Sequence, residues 1–588
     1  MERVLISEIN NNDLNKKILV KGWIRKVRKL GSLIFMDIID RYDILQVVVN
    51  KEHKDFDRIL HLPKETVVEV TGILQERKDK NPKIKTGNYE LILDDLIIDN
   101  IPSKESPLII AEVTDANEDI RLQYRYLDLR RPNMQRMLKF RSDFIFAITK
   151  YLIDRGFIEI ETPCITKITP EGANGFIIPY RKKANTFYTL DQSPQIYKQL
   201  LMLAGMQRYF QIAKCFRDED MRLDRQPEFT QLDVEMSFTC QEDVLNLIET
   251  MFHEILGKMV GLPNTAFTKI TYDDAIRDYG SDKPDLRADY KIIDLTKYFN
   301  HSNVKVLKAN EPTTFLEGCL FNNVHPKPND IMVLTKLATD KGAKGLVWIE
   351  IKEGKVLRNN AIANKVEQKL VEKLMDDFKF DDGLILMVND SWEVAKKAMG
   401  NVRFQALRTF NLVNPDELKF CWVIDFPLFE WGEEANRYVA AHHPFTSPNK
   451  EWINSFEKNM KMAKADAYDL VLNGFEVGGG SIRIHDKAVQ HRLFQALGMS
   501  EEEIKAKFGF LLEAFNYGVP PHGGIALGLD RLLMLLLKAD SIREVIAFPK
   551  NSWGLDLMLE APNKLTDEEL SKYHVKNVNH DDDPTPKH

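Results

Sequence analysis

Residues Phe210–Phe238, FQIAKCFRDEDMRLDRQPEFTQLDVEMSF, are the stretch of this chain that most constrains its fold. An apolar run leads to Arg217, a loop crowded with charges follows, and a second run alternates polar and apolar residues. Because side chains alternate between the two faces of a strand, Gln231, Asp233 and Glu235 share one face. The pattern predicts a hairpin whose polar face lines a ligand site, where an arginine binds a phosphate and the acids bind an amine or a metal. A solvated hairpin face is the alternative.

Two later segments also combine glycines with charges. Residues 472–485, LNGFEVGGGSIRIH, carry Glu476 and Arg483 on either side of three glycines, which allow a close approach of a ligand or a neighbouring strand. Residues 523–538, GGIALGLDRLLMLLLK, predict a strand that turns at Gly528 into an apolar helix with Arg531 in its first turn, a place that favours anions. An ordinary hairpin and a buried helix with a snorkelling arginine are the alternatives. Neither segment contains a Walker loop or a GxGxxG fingerprint.

The first 105 residues predict a small β-barrel. Five short runs rich in β-branched residues are separated by polar or glycine-bearing turns, as in an OB-fold. The pair of strands joined near Leu30-Gly31 places Arg25, Arg28 and Phe35 close together, a combination that suits base stacking and phosphate contact. From this patch alone, a core phenylalanine with solvated basic residues is the stronger interpretation.

Composition excludes several classes of protein. The 588 residues are 44% hydrophobic and 29% charged, which is typical of a globular chain with sizeable cores. The apolar run Leu532–Leu537 is far shorter than the ~20 residues that span a bilayer, and the first ten residues contain no secretory signal. Five cysteines without CxxC spacing indicate a reducing cytosol rather than disulfides or zinc. The net charge of −7 argues weakly against a polyanionic partner, although local basic patches can still bind one.

Taken together, the three segments resemble the three signature motifs of class II aminoacyl-tRNA synthetases. The helix and Pro163-containing strand that precede them resemble motif 1, Phe216-Arg217-Asp218-Glu219 with its second strand resembles motif 2, and Gly528-Leu529-Asp530-Arg531 resembles motif 3. Further text resembles the bacterial-type aspartyl-tRNA synthetases of subclass IIb: TPEG (169–172), QSPQIYKQLLM (192–202), RQPEFTQLDVE (225–235), DFPLFE (425–430) and AAHHPFTSP (440–448).

This resemblance implies a multidomain α+β fold. It comprises an N-terminal OB-fold anticodon-binding barrel, an antiparallel-sheet catalytic domain and an inserted α+β GAD domain. The expected boundaries are 1–106 for the barrel, 107–132 for a hinge, 133–285 and 421–564 for the two catalytic parts, 286–420 for the insert and 565–588 for a C-terminal extension with a mobile end.

The resemblance also implies the reaction. Aspartate attacks the α-phosphate of ATP to give aspartyl-adenylate and pyrophosphate, and the aspartyl group then passes to the terminal adenosine of tRNA-Asp. Arg217 and Arg531 are the expected catalytic residues, on the α-phosphate and the distal phosphates. The expected ATP-binding set is Arg217, Asp218, Glu219, Gln226, Glu476, Gly528, Leu529, Asp530 and Arg531.

The remaining roles follow from the same resemblance. Asp469 and Glu476 are the matching acids for Mg²⁺, which prefers oxygen ligands. Arg483 and Lys198 match the cations for the aspartate side chain, and His442, of the pair His442-His443, is preferred for aspartate contact. The expected aspartate-binding set is Glu171, Ser193, Gln195, Lys198, Arg217, Asp233, His442 and Arg483. In the barrel, Arg28, Phe35, Gln46 and Glu90 match anticodon contacts, and this makes the nucleic-acid interpretation of the patch the stronger one.

Several questions stay open at this level. The family's lid usually reads TPEGARD, whereas this chain has Asn174 and Gly175 in place of the Arg-Asp pair. Charging of both tRNA-Asp and tRNA-Asn is an alternative, although the Leu30-Gly31 turn leans toward the type that charges only tRNA-Asp. A sister lysyl- or asparaginyl-tRNA synthetase and a noncatalytic RNA-binding paralogue are further alternatives. The resemblance implies a cytoplasmic homodimer without membrane association, and leaves the roles of the insert and the tail open.

Overall fold

The computed structural model describes residues 1–40, 43–168, 174–299, 302, 304–307, 313–359, 368–433 and 435–577. The chain divides into two compact units. The first contains Met1–Asp143, Met221–Leu223 and Asp540–Lys564, and the second contains Phe144–Asp220, Asp224–Ala539 and Leu565–His588.

The N-terminal part of the first unit is a closed five-stranded barrel, so the predicted OB-fold is confirmed. Its elements are β1 (Lys17–Leu30), β2 (Leu33–Ile39), β3 (Ile44–Asn50), α1 (Phe56–Leu60), β4 (Val67–Glu76) and β5 (Tyr89–Asn100). The strand order is β1-β2-β3-β5-β4. Alternate residues of each strand enter the core, as with the buried Ile34, Met36 and Ile38 of β2, because side chains of a strand point to opposite faces.

Three helices follow the barrel: α2 (Glu118–Gln123), α3 (Arg125–Asp128) and α4 (Pro132–Ile153). A buried ionic cluster joins α2, α3 and the start of α4. Asp128, with no exposed side-chain surface, accepts from Arg121, Arg125 and Arg131 at 2.6–3.1 Å. Arg125 also donates to the backbone oxygens of Arg543, Ile546 and Ala547, so its guanidinium is satisfied despite its burial.

The first part of the second unit begins with the end of α4 and continues with strands β6 to β12 and helices α5 to α7. Its elements are β6 (Ile158–Glu159), β7 (Ile165–Thr166), β8 (Ile177–Pro179), β9 (Phe187–Leu190), α5 (Gln195–Leu203), β10 (Arg208–Phe216), β11 (Glu228–Ser237), α6 (Gln241–Val260), β12 (Thr268–Thr271) and α7 (Tyr272–Tyr279).

The segment predicted as an insert, residues 286–420, forms its own five-stranded sheet. Its elements are β13 (Ile293–Asp294), α8 (Thr296–Phe299), β14 (Thr314–Asn322), α9 (Pro328–Thr339), β15 (Val347–Lys352), β16 (Lys355–Asn359), α10 (Gln368–Phe378), β17 (Gly383–Ser391) and α11 (Trp392–Thr409). Helices α9 and α11 cover one face of the sheet, and α8 and α10 cover the other. Strand β17 is buried on both faces, which explains its continuous apolar run.

The chain then completes the second unit. These elements are β18 (Phe420–Ile424), β19 (Phe429–Gly432), β20 (Arg437–Ala440), β21 (Ala467–Leu472), β22 (Phe475–Ile482), α12 (Lys487–Ala496), α13 (Glu501–Ala514), β23 (His522–Gly528), α14 (Leu529–Leu536) and α15 (Asp567–Ser571). Helix α15 lies in the predicted C-terminal extension. The end of this extension, which was predicted to be mobile, lies largely outside the described residues.

An eight-stranded sheet is the centre of the second unit, with the order β12-β18-β21-β22-β23-β11-β10-β6. The two outermost pairs are parallel and the inner pairs are antiparallel. The predicted hairpin is β10–β11, and its strand β11 pairs with β23, which leads into α14. The sequence segments that were separated by up to 300 residues therefore occupy four adjacent strands.

Close approach between β22 and β23 depends on a glycine. A Cβ added at Gly480 would lie 2.3 Å from the backbone oxygen of Gly524 and 2.6 Å from the ring of Tyr468. Both neighbours are buried and belong to the sheet, so they cannot move aside cheaply.

We expect Gly480→Ala to lower the stability of the second unit by about 1–3 kcal/mol, because the added methyl overpacks the sheet. Gly509→Ala is the matched control. It lies within α13 with only an ordinary contact to Lys505, and it should leave stability unchanged or raise it by about 0.5–1 kcal/mol. Thermal melts of the two variants measure the difference, and equal melting temperatures would contradict this packing argument.

Candidate active site

The polar face of β11 is buried within the second unit rather than exposed to solvent. Asp233 and Glu235 have no exposed surface, and Gln231 is also buried. The register of the sheet aligns Asp233 with Ala526 of β23, Gly479 of β22 and Asp469 of β21. Side chains in one such row point to the same face of a sheet.

Small residues separate the two groups of acids on this face. Ala526 and Gly479 lie between Asp233 and Asp469, and the neighbouring row places Gly524 and Ser481 beside Glu235. We call Ala526, Gly524, Gly479 and Ser481 the small-residue trough. Three strand intervals of ~4.8 Å give a trough about 14 Å wide between the outer strands. The surface of the sheet is depressed here, because glycine, alanine and serine have small side chains or none.

A buried charge network, consisting of Lys198, Asp233, Glu235 and Arg483, occupies one side of the trough. Lys198 Nζ on α5 lies 3.1 Å from Asp233 Oδ1 and 3.4 Å from Glu235 Oε2. Arg483 forms a two-point contact with Glu235, Nε to Oε1 at 3.0 Å and NH2 to Oε2 at 3.2 Å. Two cations and two anions balance within a region where none of the four is more than 1% exposed.

One acceptor of the charge network, Asp233 Oδ2, is not used within the network. Asp233 Oδ2 and Gln195 Nε2 are buried and have no hydrogen-bond partner among the described residues. Burial raises the pKa of Asp233, and the charge of Lys198 opposes this rise. Burial alone would also raise the pKa of Glu235, but Arg483 and Lys198 outweigh it and hold that pKa below its ordinary value. Glu235 therefore stays ionised, and Asp233 gains from an additional positive partner.

The two histidines take different positions. His443 Nε2 accepts from Arg483 NH1 at 2.6 Å, and its Nδ1 lies 3.2 Å from Thr446 Oγ1. Burial and the charge of Arg483 hold the pKa of His443 well below its usual range, so the ring is neutral and can accept that bond. His442, the preferred residue from sequence, packs against the ring of Phe426 at 4.7 Å. Burial lowers its pKa, and the charge of Glu476 opposes this.

An acid pair, Asp469 and Glu476, occupies the other side of the trough. A β-bulge in the β21–β22 pairing brings Glu476 onto the face of Gly479 and Asp469, since residues three apart would otherwise point to opposite faces. A Cβ at Gly479 would lie 2.9 Å from Asp469 Oδ1 and 3.7 Å from Glu476 Oε1. Asp469 Oδ1 is buried without a hydrogen-bond partner in the described part of the chain. Burial and the nearby Glu476 raise the pKa of Asp469 well above its ordinary value, and a bound cation would reverse this shift.

The two arginines of the motifs lie at the same end of the sheet. Arg217 follows β10, its N–H bonds to Pro227 O, and its guanidinium lies 5.2 Å from the ring of Phe229. It has no carboxylate partner among the described residues. Arg531 in α14 donates to Glu476 O at 2.8 Å and pairs with Asp224 at 3.2 Å.

Several other predicted residues have structural partners. Asp530 accepts from the N–H of Thr230 at 2.6 Å and joins the start of α14 to β11, with Gly528 as the N-cap residue of the helix and Leu529 fully buried. Glu219 pairs with Arg225 at 2.7 Å.

The remaining predicted residues differ in exposure. Gln226 and Gln195 are buried, Ser193 is half-buried and precedes α5, and Asp218 is exposed. Glu171 lies outside the described residues.

The lid departure lies next to the hairpin. The N–H of Asp218 bonds to Asn174 O at 2.9 Å, so Asn174 is attached to the end of β10 through its backbone. A Cβ at Gly175 would meet only ordinary contacts, the nearest at 3.6 Å. The glycine is therefore not required by crowding, and the space accommodates a larger residue.

In the barrel, the four predicted anticodon residues share the outer face. Register aligns Arg28 with Phe35, and it aligns Gln46 with both Asp37 and Glu90. Phe35 is half-buried and lies outside the core, which excludes the interpretation of a core phenylalanine. Gln46 donates to Glu90 at 3.1 Å, and Arg28 pairs with Asp37 at 3.2 Å.

Comparison with known proteins shows the family to which the chain belongs. A family model described as tRNA synthetases class II (D, K and N) matches residues 117–552, and an OB-fold nucleic acid binding domain matches residues 18–99. The Aspartate–tRNA ligase of Malacoplasma penetrans (strain HF-2) is 46% identical over 575 residues, which cover 97% of this chain and 98% of the relative. The chain belongs to the aspartate–tRNA ligase family.

Other relatives of this synthetase carry a broader name. The Aspartate–tRNA(Asp/Asn) ligase of Dictyoglomus turgidum is 42% identical over 580 residues, with 97% of each chain covered. Among solved structures, an asparaginyl-tRNA synthetase from Pyrococcus horikoshii matches with a TM-score of 0.57 at 20% identity, covering 93% of this chain and 98% of that one. A putative aspartyl-tRNA synthetase from Leishmania major Friedlin matches with a TM-score of 0.59 at 19% identity, covering 94% of each. These two structures support the class II fold.

Two residues that contact Arg483 were given no such partner from the sequence. Glu235 was placed on the polar face without its pairing to Arg483, and His443 was given no role. The choice of His442 for aspartate contact stays a prediction. The alternation of β11 was a signal for Glu235, since three polar residues on one face need partners. No sequence signal distinguished the two adjacent histidines, because only the fold determines which ring meets Arg483. In the described part of the chain, no helix is both long and apolar enough to cross a membrane.

A further, half-buried acid lies just before β21. Burial, followed by the nearby charge of Asp425, raises the pKa of Asp466 from 3.8 to about 6. Between those pH values the folded protein binds more protons at this site than the unfolded chain. The free energy of unfolding therefore falls as pH rises from about 4 to about 6, and the loss persists above that range.

We expect Asp466→Asn to be more stable than the parent at pH 7.5, by about 1–2 kcal/mol, because the amide needs no ionisation. The advantage should shrink as pH falls below about 6 and be small only near pH 4. Melting temperatures of both proteins between pH 4 and 8 measure it, with the exposed Asp340→Asn as control. A pH-independent difference would contradict the assignment of the shift to Asp466.

Proposed function

We propose that this synthetase activates L-aspartate with ATP and transfers it to the 3′ adenosine of tRNA-Asp in the groove above the small-residue trough. One observation carries this proposal: the small-residue trough separates a buried charge network from an acid pair, and each has one carboxylate oxygen without a hydrogen-bond partner among the described residues. The first end suits an amino acid and the second suits a metal-bound nucleotide.

At the amino-acid end, the α-ammonium and the side-chain carboxylate of aspartate each have a partner of opposite charge. Asp233 Oδ2 is an acceptor for the α-ammonium, with Ser193, Gln195 and Glu171 proposed around it. Arg483 and Lys198 are the donors for the side-chain carboxylate. In the absence of substrate Glu235 and His443 hold Arg483 in place, so the guanidinium is oriented before binding. The amide of asparagine would turn donor N–H groups toward Arg483 and Lys198, which are themselves only donors.

At the nucleotide end, Arg217 and Arg531 are proposed to bind phosphates. Arg217 has no carboxylate partner among the described residues, and it suits the α-phosphate whose charge rises during adenylate formation. Arg531 suits the distal phosphates, and Glu219 and Gln226 suit the adenine end.

Asp469 and Glu476 are the residues that would hold Mg²⁺. The unpaired Asp469 oxygen and the space left at Gly479 fit a small cation with oxygen ligands. When bound, the ion would supply charge neutralisation of the phosphates.

The barrel is proposed to read the anticodon of tRNA-Asp. Phe35 offers a half-exposed ring for base stacking, while Gln46, Glu90 and Arg28 offer hydrogen-bonding groups on the same face. We also propose a homodimer acting in the cytoplasm, and the domain boundaries given above. Exposed apolar residues on and after α4, Phe146, Ile153 and Ile158, support an interface there.

Charging of both tRNA-Asp and tRNA-Asn is the second candidate, favoured by the names of some relatives. Charging assays with purified tRNA-Asp and tRNA-Asn, run side by side, decide between the two. Aspartate-dependent ATP–pyrophosphate exchange tests the core proposal, and activation of lysine or asparagine alone would refute it.

We expect Arg483→Lys to raise the KM for aspartate by about 10- to 150-fold, because a charged two-point hydrogen bond is worth about 1.5–3 kcal/mol and lysine lacks the fork. The KM for ATP should change less than about twofold. Pyrophosphate exchange measures both constants. Arg492→Lys, on α12 and paired with Glu457, is the matched control. An unchanged KM for aspartate would remove Arg483 from the pocket.

We expect Phe35→Ala to weaken tRNA binding by about 5- to 150-fold, since stacking of one base is worth about 1–3 kcal/mol. Pyrophosphate exchange without tRNA should stay unchanged. Filter binding measures the tRNA affinity. Ile97→Ala removes an exposed apolar side chain from β5 of the same barrel and should bind tRNA normally. Equal losses in both variants would point to barrel stability rather than stacking.

A further inference from the structure

The tip of the β21–β22 hairpin is enclosed by the last helix of the insert. The tip residues Asn473 and Gly474 have φ values of 52° and 88°. Phe404 of α11 packs directly on them: a Cβ at Gly474 would lie 2.3 Å from Phe404 Cε2. The rings of Phe404 and Phe475 meet edge to face at 5.8 Å. Glycine is therefore required at the tip both by the backbone and by the insert.

Arg408, one turn further along α11, completes this contact. Its guanidinium stacks on Phe404 at 3.5 Å from the ring centre and donates to Asn473 O at 3.4 Å. The guanidinium also donates to Phe404 O at 3.2 Å and lies 3.9 Å from Asp285. Burial lowers the pKa of Arg408 to about 10, which still leaves it charged at neutral pH.

Asn473 adds a second attachment through its side chain. Its Oδ1 accepts from the N–H of Lys419 at 2.9 Å, and its Nδ2 donates to Glu417 O at 2.8 Å. Residues 417–419 are the chain that leaves the insert toward β18. The hairpin tip is thus held by α11, the last helix of the insert, and by residues 417–419, which lead into β18.

The first half of α11 is fastened to α7 and its following loop. Gly400 and Gly280 approach so closely that a Cβ on either would lie 2.2 Å from the other segment's backbone. The buried Lys396 donates to Arg277 O at 2.7 Å and pairs with Glu317 at 2.8 Å. The buried Arg403 donates to Asp285 O and Ala288 O. Contacts along several turns leave α11 little freedom to shift.

The hairpin tip is two residues from Glu476. The bulge that turns the Glu476 side chain toward Asp469 lies in the same pairing, and the backbone oxygen of Glu476 is the acceptor of Arg531. A shift of the tip would move both the carboxylate of Glu476 and the anchor of Arg531.

We propose that α11 of the insert is a positioning element for the nucleotide end of the active site, acting through Arg408 and Phe404 on the tip of the β21–β22 hairpin. The proposal rests on the function proposed above. Neither side chain touches substrate in this scheme, so both are positioning residues. The insert then has a role in ATP binding, and none in aspartate recognition.

The test variant is Arg408→Met, which keeps an apolar stem on Phe404 and removes the donor to Asn473. Arg408→Lys restores a charged donor. Arg358→Ala is the matched control, because Arg358 is an ion-paired arginine elsewhere in the insert, bound to Glu350. Three quantities are measured on the full chain: the affinity for a non-hydrolysable ATP analogue with Mg²⁺ by calorimetry, the KM values for ATP and aspartate, and amide hydrogen exchange of residues 471–477.

Arg408→Met should weaken binding of the analogue and raise the KM for ATP by about tenfold, in the range seen for outer contacts of metal sites. The KM for aspartate should stay within about twofold, and exchange at 471–477 should speed up. Arg408→Lys should recover most of the affinity, and Arg358→Ala should match the parent.

Unchanged binding of the analogue and unchanged exchange in Arg408→Met would overturn the proposal. So would equal changes in both KM values, or the same loss in Arg358→Ala, since each indicates general destabilisation. Failure of the parent to exchange pyrophosphate with aspartate would instead refute the proposed function, while calorimetry and hydrogen exchange would still report on the hairpin.

Discussion

The buried pairing of Glu235 with Arg483 is the constraint on which the rest of the proposed active site depends. Breaking a buried ion pair costs about 3–5 kcal/mol, whereas apolar residues in its place are often neutral or stabilising. Stability therefore does not explain why Lys198, Asp233, Glu235 and Arg483 are charged. The arrangement fits the proposed aspartate pocket, because two cations are oriented in advance and Asp233 Oδ2 has no hydrogen-bond partner among the described residues.

The small-residue trough is the complement of this network. Larger side chains at Ala526, Gly479 and Gly524 would fill the space between the amino-acid end and the nucleotide end, and at Gly524 a single Cβ would already lie 2.3 Å from Glu235 Oε2. The same face of the sheet therefore combines buried charged residues with a row of small residues. The hairpin tip, the bulge and the insert's helix α11 belong to the same arrangement, because they determine where Glu476 points.

Much of this could be predicted from the chain alone, and the failures have physical causes. The period-two pattern of β11 predicted the polar face, and the glycine runs predicted close approach. The partner of Glu235 could not be predicted, because Arg483 is 248 residues away and only the strand order brings them together. The contact of His443 with Arg483 could not be predicted for a similar reason: adjacent residues point in different directions, and the packing of the segment decides which of them meets Arg483. The contact of Arg408 with Asn473 had no local signal, since it joins an insert to a turn.

The sequence by itself determined the family, the barrel, the synthetase fold and the classes of chemistry, because local periodicity and motif order are written along the chain and need no long-range pairing. Only the tertiary structure decided which charges neutralise each other, where the unpaired oxygens lie and what supports the hairpin. These properties depend on register across four strands and on burial. The sequence does not show whether a carboxylate on a strand lies next to water, an arginine or another acid. Those surroundings set its pKa and therefore its charge.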